Sequence, residues 1–99
     1  MEIERIEIDS LVFQGIKIPT EHANILLIQG KKANLACGYF ALATADKLGD
    51  RLAVVTGVKC FDDMLNAKVI SISKAAADSG ASVGMTGREA LVRMEQANG

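Results

Sequence analysis

The chain has 99 residues, of which 49% are hydrophobic and only 4% aromatic, and its formal net charge at pH 7 is −1. This composition excludes a basic nucleic-acid-binding surface, and no uncharged run reaches the roughly 18 residues that a membrane helix needs. We therefore expect one small domain, residues 1–99, that has neither nucleic acid nor a membrane as its partner.

Cysteine usage is typical of a cytoplasmic protein. Cys37 and Cys60 follow a charged, alternating N-terminus that is not an export signal, so both are expected to be free thiols. Their separation matches no zinc motif and His22 is the single histidine, so we expect no metal site and no cofactor. The apolar content exceeds what one small core hides, which predicts a homo-oligomer, a dimer or larger.

The first part of the chain predicts antiparallel strands. Charged and apolar residues alternate at the start, and Asp9 and Ser10 then favour a turn. A β-rich run follows, which Pro19 ends because proline lacks the backbone N–H, and Gly15 within this run is a candidate bulge. Two apolar runs flank a polar hairpin turn. The strands are expected at residues 2–9, 11–18, 24–30 and 33–37.

A helix is expected from about Tyr39, because apolar residues recur at helical spacing and Gly49 can end the helix in the left-handed conformation. Residues 51–56 predict a returning strand, so strand, helix and strand together predict a βαβ crossover. The apolar stripe of this helix consists of Ala41, Leu42, Ala45 and Leu48.

The remainder of the chain is predicted to be mainly helical. Ser73 can cap a helix that Gly80 ends, and Thr86 with Glu89 forms the capping box of the last helix. Residues 69–73 fit either a short strand or a helix start. We therefore expect an α+β or α/β fold, with a mixed sheet of four to five strands, helices mainly on one face and one βαβ crossover.

Three motifs in succession resemble a known family. "CGYFALATADKLGD", "GVKCFDDMLNAKV" and "GMTGREALVRM" follow each other at spacings similar to those of the YunC-like family, domain of unknown function 1805, and the resemblance runs from about Ile3 to Met94. It implies a compact α/β domain without an assigned activity or established catalytic residues. The family pattern singles out Cys37, Gly38, Gly57, Phe61, Asp62, Asp63 and residues 84–89.

One position departs from the family pattern. The helix that starts at Phe61 should have Ser or Thr as its N-cap, but the chain has Cys60, and a thiol accepts hydrogen bonds poorly. Either the cap is lost, at a cost of about 1 kcal/mol, or Asp62 and Asp63 compensate near the positive end of the helix dipole. Adjacent carboxylates on a helix point apart, which disfavours a shared acid–base task.

Cys37 is the candidate catalytic residue. It lies between a predicted strand and a predicted helix, where free amides and the helix dipole favour the thiolate form. Such a thiolate could act as a nucleophile or as a redox thiol. The alternative is a small buried residue at a tight junction, and the sequence supplies no general base beside it.

The candidate ligand-binding residues belong to glycine-containing loops. The stretch "GMTGRE" resembles an anion-binding helix start, because its glycines leave the backbone open and its arginine supplies charge. The alternative for this stretch is a well-capped helix whose arginine lies in water. The alternative for the glycine after Cys37 is a purely structural one, in which it permits a turn that a side chain would block. The candidates are Gly38, Lys59, Thr86, Gly87 and Arg88.

Three functions therefore stay open. The first is a small cytosolic binding or regulatory module that recognises an anionic small molecule or a protein partner, because glycine-flanked helix starts occur without a complete catalytic set. The second is an enzyme that uses Cys37 as its nucleophile or redox thiol. The third is a structural subunit of an oligomer. The sequence alone does not decide whether the protein is an enzyme.

Overall fold

Six strands form one mixed sheet, in the order β1-β2-β3-β4-β5-β6, in the computed structural model, which describes residues 1–98. The strands are β1 (Glu2–Ile8), β2 (Leu11–Pro19), β3 (Asn24–Gln29), β4 (Ala33–Ala36), β5 (Arg51–Val54) and β6 (Ser71–Ile72). The helices are α1 (Leu42–Leu48), α2 (Phe61–Asn66), α3 (Lys74–Asp78) and α4 (Gly87–Gln96).

The pairing of the strands confirms the predicted class. β1 to β4 form an antiparallel meander, and β4 pairs with β5 in parallel through the crossover helix α1, which is the predicted βαβ unit. The β1–β2 turn is tight because Asp9 and Ser10 both adopt positive φ angles, 50° and 70°, as the type I′ hairpin turn requires. The fold is therefore α+β.

Two predictions about the sheet are wrong. The sheet has six strands instead of four to five, because residues 71–72 pair with β5 as a two-residue strand that is too short to show a period. Gly15 is not in a bulge, since β1 and β2 pair without interruption around it. Its Cα instead lies against the Phe61 ring, where a Cβ would come within 2.9 Å of Cζ.

The two faces of the sheet carry unequal helical cover. α2, α3 and α4 pack on one face, the covered face, around Leu35 and Val55. α1 packs on the opposite face, the open face, where Ala45 contacts a small cluster that includes Ala36 and Leu52. The cluster of α1 reaches β3 only at Leu27, and the seven residues of α1 are too few to extend over β1 and β2 as well. Among residues 1–98 the helices therefore lie mainly on one face, as expected.

The ends of the helices confirm most of the local predictions. Ser73 Oγ accepts from the Ala76 N–H, Gly49 adopts the left-handed conformation, and Thr86 forms the capping box with Glu89. The predicted start of α1 is wrong, since the helix begins at Leu42 and residues 38–40 form a turn. Its predicted stripe is also too long, because only Ala45 of α1 is buried and Leu48 is 68% exposed.

Candidate functional site

Cys37 extends the pairing between β3 and β4. Its N–H donates to Leu26 O at 3.1 Å, and its Sγ accepts from the Leu26 N–H at 3.3 Å. The residue is 5% exposed, and α1 begins only after the N-cap at Ala41. The expected position at a helix N-terminus is therefore wrong, so the helix dipole does not act on this thiol.

A shallow hollow of about 300 Å³ lies beyond the carboxyl ends of the parallel strands β4 and β5. It brings Cys37 and Gly38 together with Thr56 and Gly57, which follow the neighbouring strand. Gly38 has no positive φ, and a Cβ there would meet only Thr56 Cγ2, at 3.5 Å. A side chain is therefore compatible with this turn, contrary to the expectation that only glycine permits it.

The start of α2 shows how the chain compensates for Cys60. The thiol makes no capping hydrogen bond, but Asp63 Oδ2 accepts from the Lys59 N–H at 3.0 Å. Asp63 thus satisfies an amide just before the helix, and Asp62 lies in the same first turn, where the dipole favours negative charge. Lys59, named as a ligand candidate, is exposed beside this turn and does not line the Cys37 hollow.

The start of α4 is closed rather than open to an anion. The Gly87 N–H donates to Ala67 O at 2.9 Å, and the Glu89 N–H donates to Thr86 Oγ1 at 3.2 Å. Gly87 is buried because its Cα lies directly against Met64 O, where a Cβ would overlap the oxygen. Arg88 is exposed. The hollow at Cys37 is lined neither by this stretch nor by Lys59.

A larger cavity, the α1 cleft, lies between α1 and the open face. Its volume is about 670 Å³, and its walls come from β3, the β3–β4 turn, the loop before α1, α1 itself and the start of β5. Tyr39 and Phe40 both line it and are 55% and 37% exposed. The chain has four aromatic residues, one Tyr and three Phe, so half of them line this cleft.

Basic groups outnumber acidic ones in the α1 cleft. Lys31, Lys32 and Arg51 line it, against Asp50 alone. Lys32 Nζ donates to Ala97 O at 3.3 Å, and the Arg51 guanidinium donates to the same oxygen at 3.0 Å, so both cations also stabilise the end of α4. Within residues 1–98, no hydrogen bond or ion pair holds the Lys31 ammonium, which leaves it able to contact a ligand.

The turn beside this cleft binds a carboxylate of the chain itself. Glu95 of α4 accepts from the successive N–H groups of Lys31, Lys32 and Ala33 at 2.7, 2.8 and 3.0 Å. Partial burial acts to raise the pKa of Glu95, but these three N–H donors and the nearby Lys31 charge outweigh it, so the pKa lies below its ordinary value. A Cβ at Gly30 would lie 2.5 Å from Glu95 Oε2, so a larger residue here would push the carboxylate away from these N–H groups.

Sequence reasoning did not find the α1 cleft or the Glu95 contact. Tyr39 was assigned to a helix start, and Lys31 with Lys32 only to a polar turn. The adjacent aromatics "YF", in a chain with so few aromatic residues, were the available signal. Glu95 is more than sixty residues away from its partners, so no local pattern could pair them.

Neither metal-ligand clusters nor membrane-spanning helices occur in the part of the chain that the structure describes. No three side chains among its His, Cys, Asp and Glu residues lie close enough together to hold an ion. The helices between residues 1 and 98 are all too short or too polar to cross a membrane.

Comparisons with known proteins agree with this fold. A family model described as "Domain of unknown function (DUF1805)" matches residues 36–94. The uncharacterized protein YunC of Bacillus subtilis (strain 168) is 32% identical over 93 residues, which is 90% of this chain and 92% of that protein. The crystal structure of TA1206, a protein of unknown function from Thermoplasma acidophilum, superposes with a TM-score of 0.89 at 38% identity, covering 94% of this chain and 91% of that one.

Proposed function

The chain belongs to the DUF1805 family, as its three motifs predicted, and from that premise we propose that it is a small binding module for an organic anion with an apolar part. The α1 cleft carries this proposal. It offers about 670 Å³, within the range of small-molecule sites, and combines exposed aromatic side chains with an excess of basic ones. The ligand class is a carboxylate or phosphate attached to a small aliphatic or aromatic group.

The apolar part of the ligand has a matching surface. Tyr39 and Phe40 line the cleft, and Leu27 and Leu48 add aliphatic surface. Exposed aromatic side chains lose little conformational entropy on binding and bury large areas. Leu48 is the residue that the helical stripe predicted to be in the core, and its exposure at the cleft is consistent with a role in ligand contact.

The charged part of the ligand is expected at the β3–β4 turn. Lys31 is the basic side chain there that holds no hydrogen bond within residues 1–98, while Arg51 and Lys32 add positive potential without leaving their contacts to α4. The backbone N–H groups of this turn already hold the Glu95 carboxylate. The turn therefore already binds one carboxylate through its backbone N–H groups. The carboxylate or phosphate of the ligand would contact the basic side chains of the turn instead.

This proposal moves the anion site away from the loops that the sequence favoured. The amides of Gly87 and Glu89 have partners, and Arg88 lines neither the α1 cleft nor the Cys37 hollow. Cys37 takes no part either, because its sulfur is buried and accepts a backbone N–H. The proposed module thus binds its ligand without a covalent step.

The binding proposal is tested with matched probes. Benzoate and hexanoate supply an apolar group with a carboxylate, benzamide supplies the same ring without charge, and inorganic phosphate supplies charge alone. At ten times its Kd, a ligand adds about 1.4 kcal/mol of stability, which raises the Tm of a domain of this size by several degrees. We expect benzoate or hexanoate to raise the Tm and benzamide and phosphate not to.

Two lysine variants locate the site. Lys31→Gln removes the ammonium from the cleft and should weaken carboxylate binding about tenfold, the value of one charge-assisted contact. Lys59→Gln removes an equally exposed ammonium outside the cleft and should leave the Kd unchanged. Isothermal titration calorimetry measures both. No binding of any anion, or equal losses in the two variants, would overturn the assignment of the cleft.

A second proposal is that the protein assembles with itself. Ile3, Val12 and Ile18 are exposed on strands β1 and β2, although such residues normally pack in the interior. Self-association would bury them and would make the chain a subunit of a homo-oligomer. This proposal does not depend on the ligand of the α1 cleft, and the surface concerned is argued in the next subsection.

We also place the protein in the cytoplasm. Both cysteines are free, and Cys60 is exposed, where an oxidising compartment would modify it. Cys37 is buried, and it forms no disulfide with Cys60. Localisation by fluorescence microscopy of a tagged chain, or by fractionation, tests this placement.

A further inference from the structure

We propose that two copies of this chain associate through the open face of strands β1, β2 and β3. The inference rests on the proposed self-assembly and adds the surface that mediates it. The partner is a second copy of the same chain, so the interface is formed by the same residues from both sides, related by a two-fold axis.

The register of the strands makes part of the open face apolar, beside a polar row formed by Arg5, Gln14 and Gln29. Ile3 lies opposite Ile16, and Ile16 lies opposite Leu27, so three aliphatic side chains form a row across three strands. Directly opposite side chains in antiparallel strands are about 5 Å apart and touch. In the next row Ile18 lies opposite Ile25, which also packs against the core of the covered face. The aliphatic residues of the open face outside that core are Ile3, Val12, Ile16, Ile18 and Leu27.

The exposure of this row is not expected of a solvated sheet face. An antiparallel sheet with one face in water normally alternates apolar and polar residues, so that its outer face is polar. Here Ile3 is 56% exposed and Val12 is 48% exposed. The same strands carry Glu4 and Lys17 on the covered face. Glu4 and Lys17 thus lie on the side that has helices, while Ile3 and Val12 face outward.

The charges of the open face favour a second copy over other partners. On β1 to β3 this face carries one cation, Arg5, and one anion, Glu7, which form an ion pair at 3.3 Å. Such a surface has no net charge to attract an anionic membrane or a strongly charged protein. It does complement itself, because a two-fold axis can place Arg5 against Glu7 of the partner subunit, and the reverse.

The proposed interface adjoins the α1 cleft. Leu27 and Gln29 project from the open face and also line the cleft. A second hollow, of about 290 Å³, begins at Gln29 and extends over Ile3 and Val12. A copy seated on β1 to β3 would therefore stand beside the mouth of the cleft and limit its access to water.

Matched exposed residues test the surface. Ile3→Lys and Val12→Lys place charge on the open face, whereas Ile70→Lys and Val83→Lys place the same charge at residues that are 52% and 60% exposed elsewhere. Sedimentation velocity, from low micromolar to hundreds of micromolar, gives the mass of each. We expect the wild-type chain and both control variants to reach twice the chain mass, and Ile3→Lys and Val12→Lys to have a dimer Kd at least a hundredfold higher.

The outcomes separate the two proposals. A wild-type chain that stays monomeric at hundreds of micromolar would overturn self-assembly together with this surface. A dimer that all four lysine variants preserve would overturn the surface and leave self-assembly standing. If circular dichroism shows that a variant is unfolded, an NMR dilution series of the wild-type chain decides instead. Amide shifts that change with concentration should lie in β1 to β3, and changes confined to other elements would overturn the surface.

Discussion

The covered and open faces of the sheet differ in how closely helices pack on them. On the covered face, glycines bring helices into contact: Gly15 lies under the Phe61 ring, and Gly87 lies against the backbone of Met64. On the open face, α1 contacts only a small cluster around Ala36. The covered face holds most of the core, whereas the open face keeps exposed apolar side chains and the larger cavity.

Packing within this chain accounts for the glycines of the covered face but not for the exposed apolar side chains of the open face. Close helix–sheet packing explains Gly15 and Gly87 completely, so these glycines need no ligand to account for them. Packing within this chain does not explain why Ile3, Tyr39 and Leu48 are exposed. Residues that a fold leaves unexplained are the ones to test for binding, and here they lie on the open face or beside its cleft.

The largest expected effect is on the covered face. Gly87→Ala would place a methyl group into Met64 O and 2.7 Å from Leu35 Cδ2, so α4 must move away from α2. Overpacking against backbone, which cannot rotate away, should lower the free energy of unfolding by about 3 kcal/mol. Urea denaturation followed by circular dichroism measures it.

Gly38→Ala is the matched control for that variant. The new methyl group would meet only Thr56 Cγ2 at an ordinary 3.5 Å, and the backbone has no positive φ. We expect a change within about 0.5 kcal/mol, the range of a surface substitution. Equal losses at Gly38 and Gly87 would contradict the view that Gly87, unlike Gly38, is required for close packing.

Local features of the fold could be predicted from the sequence. The capping box of Thr86 and Glu89, the cap at Ser73 and the turn at Asp9 are set by residues within three positions of each other, so a short window contains the whole interaction. The sequence left the two-residue strand β6 undecided between a strand and a helix start, because so short a strand has no period of its own. The role of Gly15 was misjudged because its neighbour Phe61 is distant in sequence.

The candidate site was harder to predict for the same reason. The α1 cleft joins β3, the β3–β4 turn, α1 and β5, and its composition is visible only after the crossover brings them together. Cys37 was prominent in the sequence because it appeared to begin a helix. The helix begins at Leu42 instead of about Tyr39, so the argument for a reactive thiol depended on a boundary that was three residues in error.

The next largest effect is expected at the hydrogen bonds between Glu95 of α4 and the β3–β4 turn beside the α1 cleft. Glu95→Gln keeps the shape of the side chain but removes the charge that three backbone N–H groups of the β3–β4 turn stabilise. Because the turn is partly open to water, we expect a loss of about 1 kcal/mol at neutral pH, below the usual value for a fully buried charged acceptor. Thermal unfolding at pH 7 measures the loss.

The pH dependence identifies the charge as the cause. The folded chain lowers the pKa of Glu95, so its contribution is fully present above the ordinary carboxyl value and is lost as the pH falls through the lower folded pKa. The gap between wild type and Glu95→Gln should therefore close as the pH falls below about 4. Glu4→Gln, at an exposed carboxylate, is the control. A gap that persists at pH 3 would attribute the effect to packing instead.

The smallest expected effect is the loss of stability when one methylene is removed from the open face, compared with the same change on the covered face. Ile28→Val removes a buried group from the covered face and should cost about 1 kcal/mol. Ile18→Val, on the open face, should cost only a few tenths of a kcal/mol at low micromolar protein, where the chain is expected to be a monomer. The cost at Ile18 should rise towards that at Ile28 at hundreds of micromolar, because association would then bury the same methylene. A cost at Ile18 that does not depend on concentration would place this residue outside the interface.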